Sequence, residues 1–242
     1  MTTGLLLIHA FPVDAQMWAT QLGGTDTIAP DLPGFGGSAT AEGGVMTMER
    51  AADRCLQALD DGGLDRAVVC GLSMGGYVAF ELWRRARERI AGLILANTRA
   101  GADTPEAADA RRTLAERLRT EGNVLIDSPP PLLSDDAPEA LWGTVRGWIA
   151  AQPPEAIAAA ALGMAERPDS TPDLATIDVP TLVITSDGDR LIPAEVSSPM
   201  ADQIPGAQLA VLSGAGHLSN VEDPDGFSAL LGAHLERCGV DL

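Results

Sequence analysis

The stretch Val68-Val69-Cys70-Gly71-Leu72-Ser73-Met74-Gly75-Gly76-Tyr77-Val78-Ala79-Phe80 constrains this chain more than any other. Its first half is apolar and β-favouring, its second half carries apolar residues at helical spacing, and Gly71-Leu72-Ser73-Met74-Gly75 stands between them. That pattern reads as strand, sharp turn, helix. A turn this tight strains the backbone at Ser73, and side chains two residues before and two after it would collide with the start of the helix. Glycine is therefore needed at both places. The turn lifts the Ser73 hydroxyl off the end of a sheet and leaves the Met74 amide beside it, at the positive end of a helix, a place suited to an oxyanion. A Gly-rich strand-to-helix loop without any chemistry has the same local pattern, so the remainder of the chain decides between the two.

Strand and helix signals alternate along that remainder, which argues for an α/β fold with a mostly parallel sheet and helices on both faces. Residues 5 to 9 are a continuous apolar run ending in His9-Ala10-Phe11-Pro12. A short helical piece at 15 to 18 and a second short strand at 27 to 32 lead into the Gly-rich loop 33 to 38. Thr47 is placed to cap a helix over 50 to 59, which Gly62-Gly63 stops. The helix after Ser73 runs to about residue 87, and 90 to 96 is the next buried strand. From 99 to 172 the strand signal vanishes, prolines cluster at 129 to 131 and 153 to 154, and helical segments cover 107 to 119, 138 to 150 and 154 to 165. An all-helical excursion between two halves of a sheet reads as a cap over a site, because it would break the sheet if placed within it. The sheet resumes at 180 to 185, then come a helix over 194 to 203, a last strand over 208 to 212, the loop 213 to 217 and a closing helix over 223 to 237. The expected organisation is one core domain, residues 1–98 and 173–242, carrying a helical cap, 99–172.

A chain of 242 residues can bury such a core without disulfides or metals. Its three cysteines, Cys55, Cys70 and Cys238, are odd in number and form neither a ligand nor a disulfide pattern, so a reducing cytoplasm is the expected location. The first residues lack a basic region, and the apolar run from 5 to 8 is too short for a signal peptide or a membrane span. A net charge of -18 argues against nucleic acid and anionic membranes as partners. All 16 basic residues are arginine, and the sequence places no basic cluster opposite Ser73, which disfavours a highly anionic substrate.

A serine hydroxyl needs a base to take its proton, and a histidine base needs a third group to fix its tautomer and offset its developing charge. The chain has three histidines. His234 lies inside the closing helix, on its expected partly exposed side, and His9 ends the first strand, where a structural hydrogen bond is the expected role. His217 follows the last strand in a Gly-x-Gly-His loop at the carboxyl edge of the sheet, the edge that also carries Ser73. It is the expected base. The acid should follow a strand at the same edge, between Ser73 and His217 in sequence. Asp187 and Asp189 both qualify; Asp189, further out on the loop, is assigned as the acid and Asp187 as a turn residue.

Several motifs in order carry a resemblance to the α/β-hydrolase family, in particular to small esterase and lactonase-like members with a helical cap. His9-Ala10-Phe11-Pro12 is similar to the family's oxyanion loop, with Ala10 where glycine is usual, and residues 31 to 38 resemble its Asp-x-x-Gly-x-Gly-x-Ser loop. Gly71 to Gly76 looks like the nucleophile elbow, Asp189 with Pro193 the acid turn, and Gly214-Ala215-Gly216-His217 with Asn220, Glu222 and Pro224 the histidine loop. The resemblance implies about six core strands with the family's N-terminal hairpin missing, and an exposed sheet edge consistent with a monomer or a homodimer. It implies acyl transfer from a small or medium, largely apolar ester or lactone to water through Ser73, with no metal or organic cofactor and with the Phe11 and Met74 amides holding the oxyanion. Leu132, Leu133, Trp142, Trp148 and Met164 of the cap, with Leu191, are the expected substrate-binding side chains. Enol-lactonase, carbon–carbon bond hydrolase and cofactor-free perhydrolase activities use the same three residues and stay open, as does a small-molecule receptor that retains them.

Overall fold

Near-continuous apolar runs place the core strands. In the computed structural model, which describes residues 1–24 and 26–240, strands β1 (Thr3–Ile8), β2 (Thr27–Ile28), β3 (Arg66–Leu72), β4 (Ile90–Ala96), β5 (Thr181–Ser186) and β6 (Gln208–Leu212) form one sheet in the order β2-β1-β3-β4-β5-β6. Every pairing is parallel. Leu5 to Ile8, Ala67 to Leu72 and Thr181 to Ser186 are buried throughout, as a parallel sheet covered on both faces requires. The described residues thus form the six-stranded, all-parallel sheet expected of the core. The expected strand over 27 to 32 stops at Ile28. Pro30 has no N–H to give a ladder, and the Leu32 N–H turns to His9 Nε2 at 3.0 Å instead.

Helix α1 (Met48–Asp61) is capped by the Thr47 hydroxyl, which accepts from Arg50 N at 3.2 Å. It packs on α2 (Met74–Ala86), which crosses β1, β3 and β4. Between β4 and β5 the described chain is helical: α3 (Pro105–Glu121), α4 (Glu139–Ala151) and α5 (Pro154–Ala165). Helices α3 and α5 pack on each other, and the Met46 N–H donates to Ala159 O at 3.1 Å, tying this excursion to the body.

The helix expected over 194 to 203 divides into α6 (Ala194–Ser197) and α7 (Pro199–Gln203), because Pro199 cannot continue a helix and instead begins one. A short α8 (Ser219–Glu222) precedes α9 (Pro224–Arg237), whose start is capped by Asp223 accepting from Gly226 N at 3.0 Å. His234 is not on a partly exposed side. It shares the buried stripe of α9 with Phe227, Leu231 and Leu235, the i, i+4, i+7, i+8 spacing of a core-facing helix. Among the described residues no helix is long and apolar enough to cross a membrane.

Candidate active site

In an all-parallel sheet every strand delivers the loop at its carboxyl end to the same edge. Ser73 stands at the end of β3 with φ 56° and ψ −113°, a conformation a non-glycine residue adopts only when its surroundings impose it. The imposition is steric. A Cβ at Gly71 would lie 2.2 Å from Gly75 O, and one at Gly75 would lie 2.2 Å from Ile8 O, so the helix can start this close to β1 only with glycine at both positions. Met74, the first residue of α2, is buried directly after the serine.

His217 follows β6 and is 2 % exposed. Its Nδ1 lies 2.8 Å from Asp189 Oδ2, and the carboxylate cannot donate, so Nδ1 carries the hydrogen. Asp189 is held from all sides: Oδ1 accepts from the N–H groups of Leu191 and Ile192, both at 2.9 Å, and Oδ2 also accepts from Asn97 Nδ2 at 3.0 Å. Burial alone would raise this carboxyl, but the hydrogen bond and charge of His217, followed by the Ile192 and Asn97 donors, more than offset it and hold it below its ordinary pKa. Asp187 is an exposed turn residue accepting from Ser213 Oγ at 2.9 Å and Gly214 N at 2.6 Å.

Asn97 is a positioning residue the sequence reading missed. At φ 44° at the end of β4, it donates to Asp189 and to Ser186 Oγ and accepts from Ser219 Oγ at 2.6 Å. Its place directly after a buried strand at the carboxyl edge was the available signal. His9 is buried and hydrogen-bonded on both nitrogens, donating from Nδ1 to Ala10 O at 3.0 Å and accepting from Leu32 N. Burial pushes its pKa down, so it stays neutral and supports the loop that carries Phe11.

Ser73 and His217 line one cavity of about 390 Å³ together with Phe11, Tyr77, Met164, Leu191 and Ile192. Residues of the helical excursion close it, among them Arg111, Leu114, Leu125 and Pro130. Of the side chains expected to bind substrate, Met164 and Leu191 are in this wall, whereas Leu132, Leu133, Trp142 and Trp148 are not. Leu132 and Leu133 are packed in the core at 0 % and 1 % exposure. Helix α4 docks through Val145 and Ile149, which leaves Trp142 and Trp148 half-buried on either flank of that stripe. Trp142 borders a surface depression with Arg146 and Arg190, and Trp148 another with Asp14 and Asp31. The expectation that nothing basic stands opposite Ser73 is also overturned, because Arg99 and Arg111 line the cavity.

The chain belongs to the alpha/beta hydrolase family, whose family model matches residues 5–230. It is similar to a thermophilic esterase from Thermogutta terrifontis, in a malate-bound structure, at 42 % identity and a TM-score of 0.92, covering 98 % of this chain and 92 % of that one. A 2-hydroxymuconate semialdehyde hydrolase from Pseudomonas putida is 29 % identical over 222 residues, 84 % of this chain and 74 % of that protein. The 3-oxoadipate enol-lactonase 2 of Acinetobacter baylyi is 28 % identical across 96 % of this chain and 88 % of its own length.

Proposed function

We propose that this protein is a serine hydrolase cleaving carboxylic esters of small or medium acyl groups through an acyl-enzyme on Ser73. The observation that carries the reading is that a strained serine at a strand end shares a cavity with a histidine whose other ring nitrogen is bonded to a buried carboxylate. Because Nδ1 donates to Asp189, Nε2 of His217 is left unprotonated and able to take the Ser73 proton as Oγ attacks the ester carbonyl. The Phe11 and Met74 amides are the donors for the resulting oxyanion, at the end of β1 and the start of α2. Collapse expels the alcohol with the proton from His217; water, deprotonated in turn by His217, then releases the acid and restores the serine. The sum is ester plus water to acid plus alcohol, and the chain's own groups carry each proton.

Similarity to an enol-lactonase and to a carbon–carbon bond hydrolase favours a second reading in which the same residues open a lactone or cleave a ketone. Turnover of p-nitrophenyl esters of graded chain length, beside a panel of lactones, tests both. Multiple turnovers abolished in Ser73→Ala are expected. A single stoichiometric burst from the unaltered protein would make it a receptor instead of an enzyme, and undiminished turnover in Ser73→Ala would remove the serine from the chemistry.

A further inference from the structure

Arg99 and Arg111 reach the cavity wall from a cluster in which three guanidinium groups share one acid. Asp103, with no exposed side-chain surface, accepts from Arg99 Nη2 and Arg167 Nη1 on Oδ1, each at 2.8 Å, and from Arg111 Nε on Oδ2 at 2.6 Å. Burial would raise this carboxyl, but Arg111 and Arg167 outweigh burial and keep it below its ordinary range, so it remains a single negative charge among three positive ones. Among the described residues the cluster thus carries an uncompensated excess of positive charge, in a chain with 34 acidic and 16 basic residues.

Arg167 has its own partners. It is 2 % exposed at the side chain, donates to Met164 O at 2.9 Å and Gly101 O at 3.0 Å, and lies 4.1 Å over the Tyr77 ring. The uncompensated charge therefore falls to Arg99 and Arg111, whose side chains are 32 % and 23 % exposed. The protein's bond to Arg111 uses Nε, which leaves its Nη pair, the fork that receives a carboxylate. Among the described residues Arg99 Nε, like Arg167 Nε, is buried with no hydrogen-bond partner. One arginine would suffice to tie Asp103 into the fold. Two more, half-desolvated at the wall of a cavity, carry a desolvation cost that a bound anion would offset.

We propose that the Arg99 and Arg111 wall is a carboxylate subsite, and that the substrate is an ester bearing a free carboxylate beyond a short apolar spacer. The spacer runs along Tyr77, Leu114, Leu125 and Met164, which accounts for a mostly apolar wall with a basic patch. This deepens the serine hydrolase reading and rests on it.

The test compares kcat/KM for monomethyl esters of succinate, glutarate and adipate with their dimethyl esters, and for short acetoxy-carboxylates with their methyl esters. The acid is expected to be preferred over its neutral ester by roughly 10–100-fold for the best spacer, the scale of a charge-assisted hydrogen bond. That ratio should fall towards one in both Arg111→Gln and Arg99→Gln. It should persist in Arg112→Gln, an exposed arginine paired with Asp109. If the unaltered protein turns over the diesters with no preference for any half-ester, the subsite is refuted and the hydrolase reading stands. If no ester is turned over, the hydrolase reading fails and calorimetric titration with glutarate decides the subsite: one-to-one binding lost in Arg111→Gln supports it, and no binding refutes it.

Discussion

Replacing Asp189 by asparagine isolates the part of the site that the carboxylate alone supplies. The side chain keeps its shape, and the two N–H donors of Leu191 and Ile192, each 2.9 Å from Oδ1, oblige the remaining oxygen to stay there. The new amide nitrogen then occupies the Oδ2 position, 3.0 Å from Asn97 Nδ2 and 2.8 Å from His217 Nδ1. Donor would face donor on both sides. Asn97 can relieve its side by turning its amide so that Oδ1 accepts, whereas His217 can do so only by moving its hydrogen to Nε2 so that Nδ1 accepts. The nitrogen proposed to take the Ser73 proton is then already protonated. In a site of this kind that wrong tautomer costs about 10⁴ in kcat, or about 5.5 kcal/mol of barrier. Asn97 Nδ2 loses a charged acceptor as well, and stability should drop by about 1–3 kcal/mol. Steady-state hydrolysis of p-nitrophenyl butyrate gives the first quantity and urea unfolding the second. A variant within tenfold of the unaltered rate would refute the assignment of Asp189 as the group that fixes His217.

Gly75→Ala places a methyl 2.2 Å from Ile8 O, a backbone atom that cannot step aside, whereas Gly143→Ala in α4 meets nothing within 4 Å. The first should lose about 3 kcal/mol or more and the second gain about 0.5–1 kcal/mol, read as midpoints of thermal unfolding; similar midpoints would contradict the packing described around the serine turn. His234, buried beside Arg237, has its pKa lowered from 6.5 to about 4, first by burial and then by that charge. A folded pKa below the unfolded one favours the neutral ring, so its stabilisation is complete above pH 6.5 and is lost as pH falls towards 4; between pH 7 and 5 that amounts to about 2 kcal/mol. Urea unfolding of His234→Leu should show a flatter pH profile over this window, above the range where the carboxylates titrate, and an unchanged slope would locate the proton uptake elsewhere. Met164→Ala and Leu191→Ala should shift KM and chain-length preference by roughly 3–10-fold, the cost of a few buried methylenes, while Trp142→Ala and Trp148→Ala leave both alone; a chain-length profile that follows the tryptophans would place α4 in the substrate wall.

What was legible in the sequence was what local sterics and chain order determine. Gly71 and Gly75 announce the turn because no other residue fits, and the buried strands announce themselves as apolar runs, so the edge that collects Ser73, Asp189 and His217 follows from parallel connectivity alone. The strand expected through residue 32 fell short for a reason equally local, the missing N–H of Pro30. The excursion between β4 and β5 was legible as helix but not as wall. Trp142 and Trp148 are large and apolar, yet which face of α4 meets the body is set by Val145 and Ile149, and a docking angle leaves no trace in spacing. Arg99, Asp103 and Arg111 sit close in sequence, but their excess of charge becomes visible only when Arg167 arrives from beyond α5 to share the same carboxylate.

The division between body and excursion is also a division of labour. Asn97 binds the ends of β4, β5 and the start of α8 together through its bonds to Asp189, Ser186 and Ser219, so the acid and histidine loops belong to one rigid edge. The chain leaves that edge at once: Arg99 comes two residues later, and the next sheet residue is Thr181. Much of what lies between is free to change length, charge and shape, except where it is tied to that edge: Pro180 O accepts from Leu93 N at 2.9 Å, Leu132 O accepts from Leu218 N at 2.8 Å, and Ser134 N donates to Glu222 Oε2 at 3.0 Å, the carboxylate that also holds Gly216 N. Proteins named as an esterase, an enol-lactonase and a semialdehyde hydrolase can therefore all be similar to this chain over most of its length. It follows that selectivity here should respond to substitutions at Arg99, Arg111 and Met164, and the rate of the chemical step to substitutions at Asn97. Asn97→Ala should lower kcat on every ester alike and leave the half-ester preference intact, because the residue touches the acid and not the cavity.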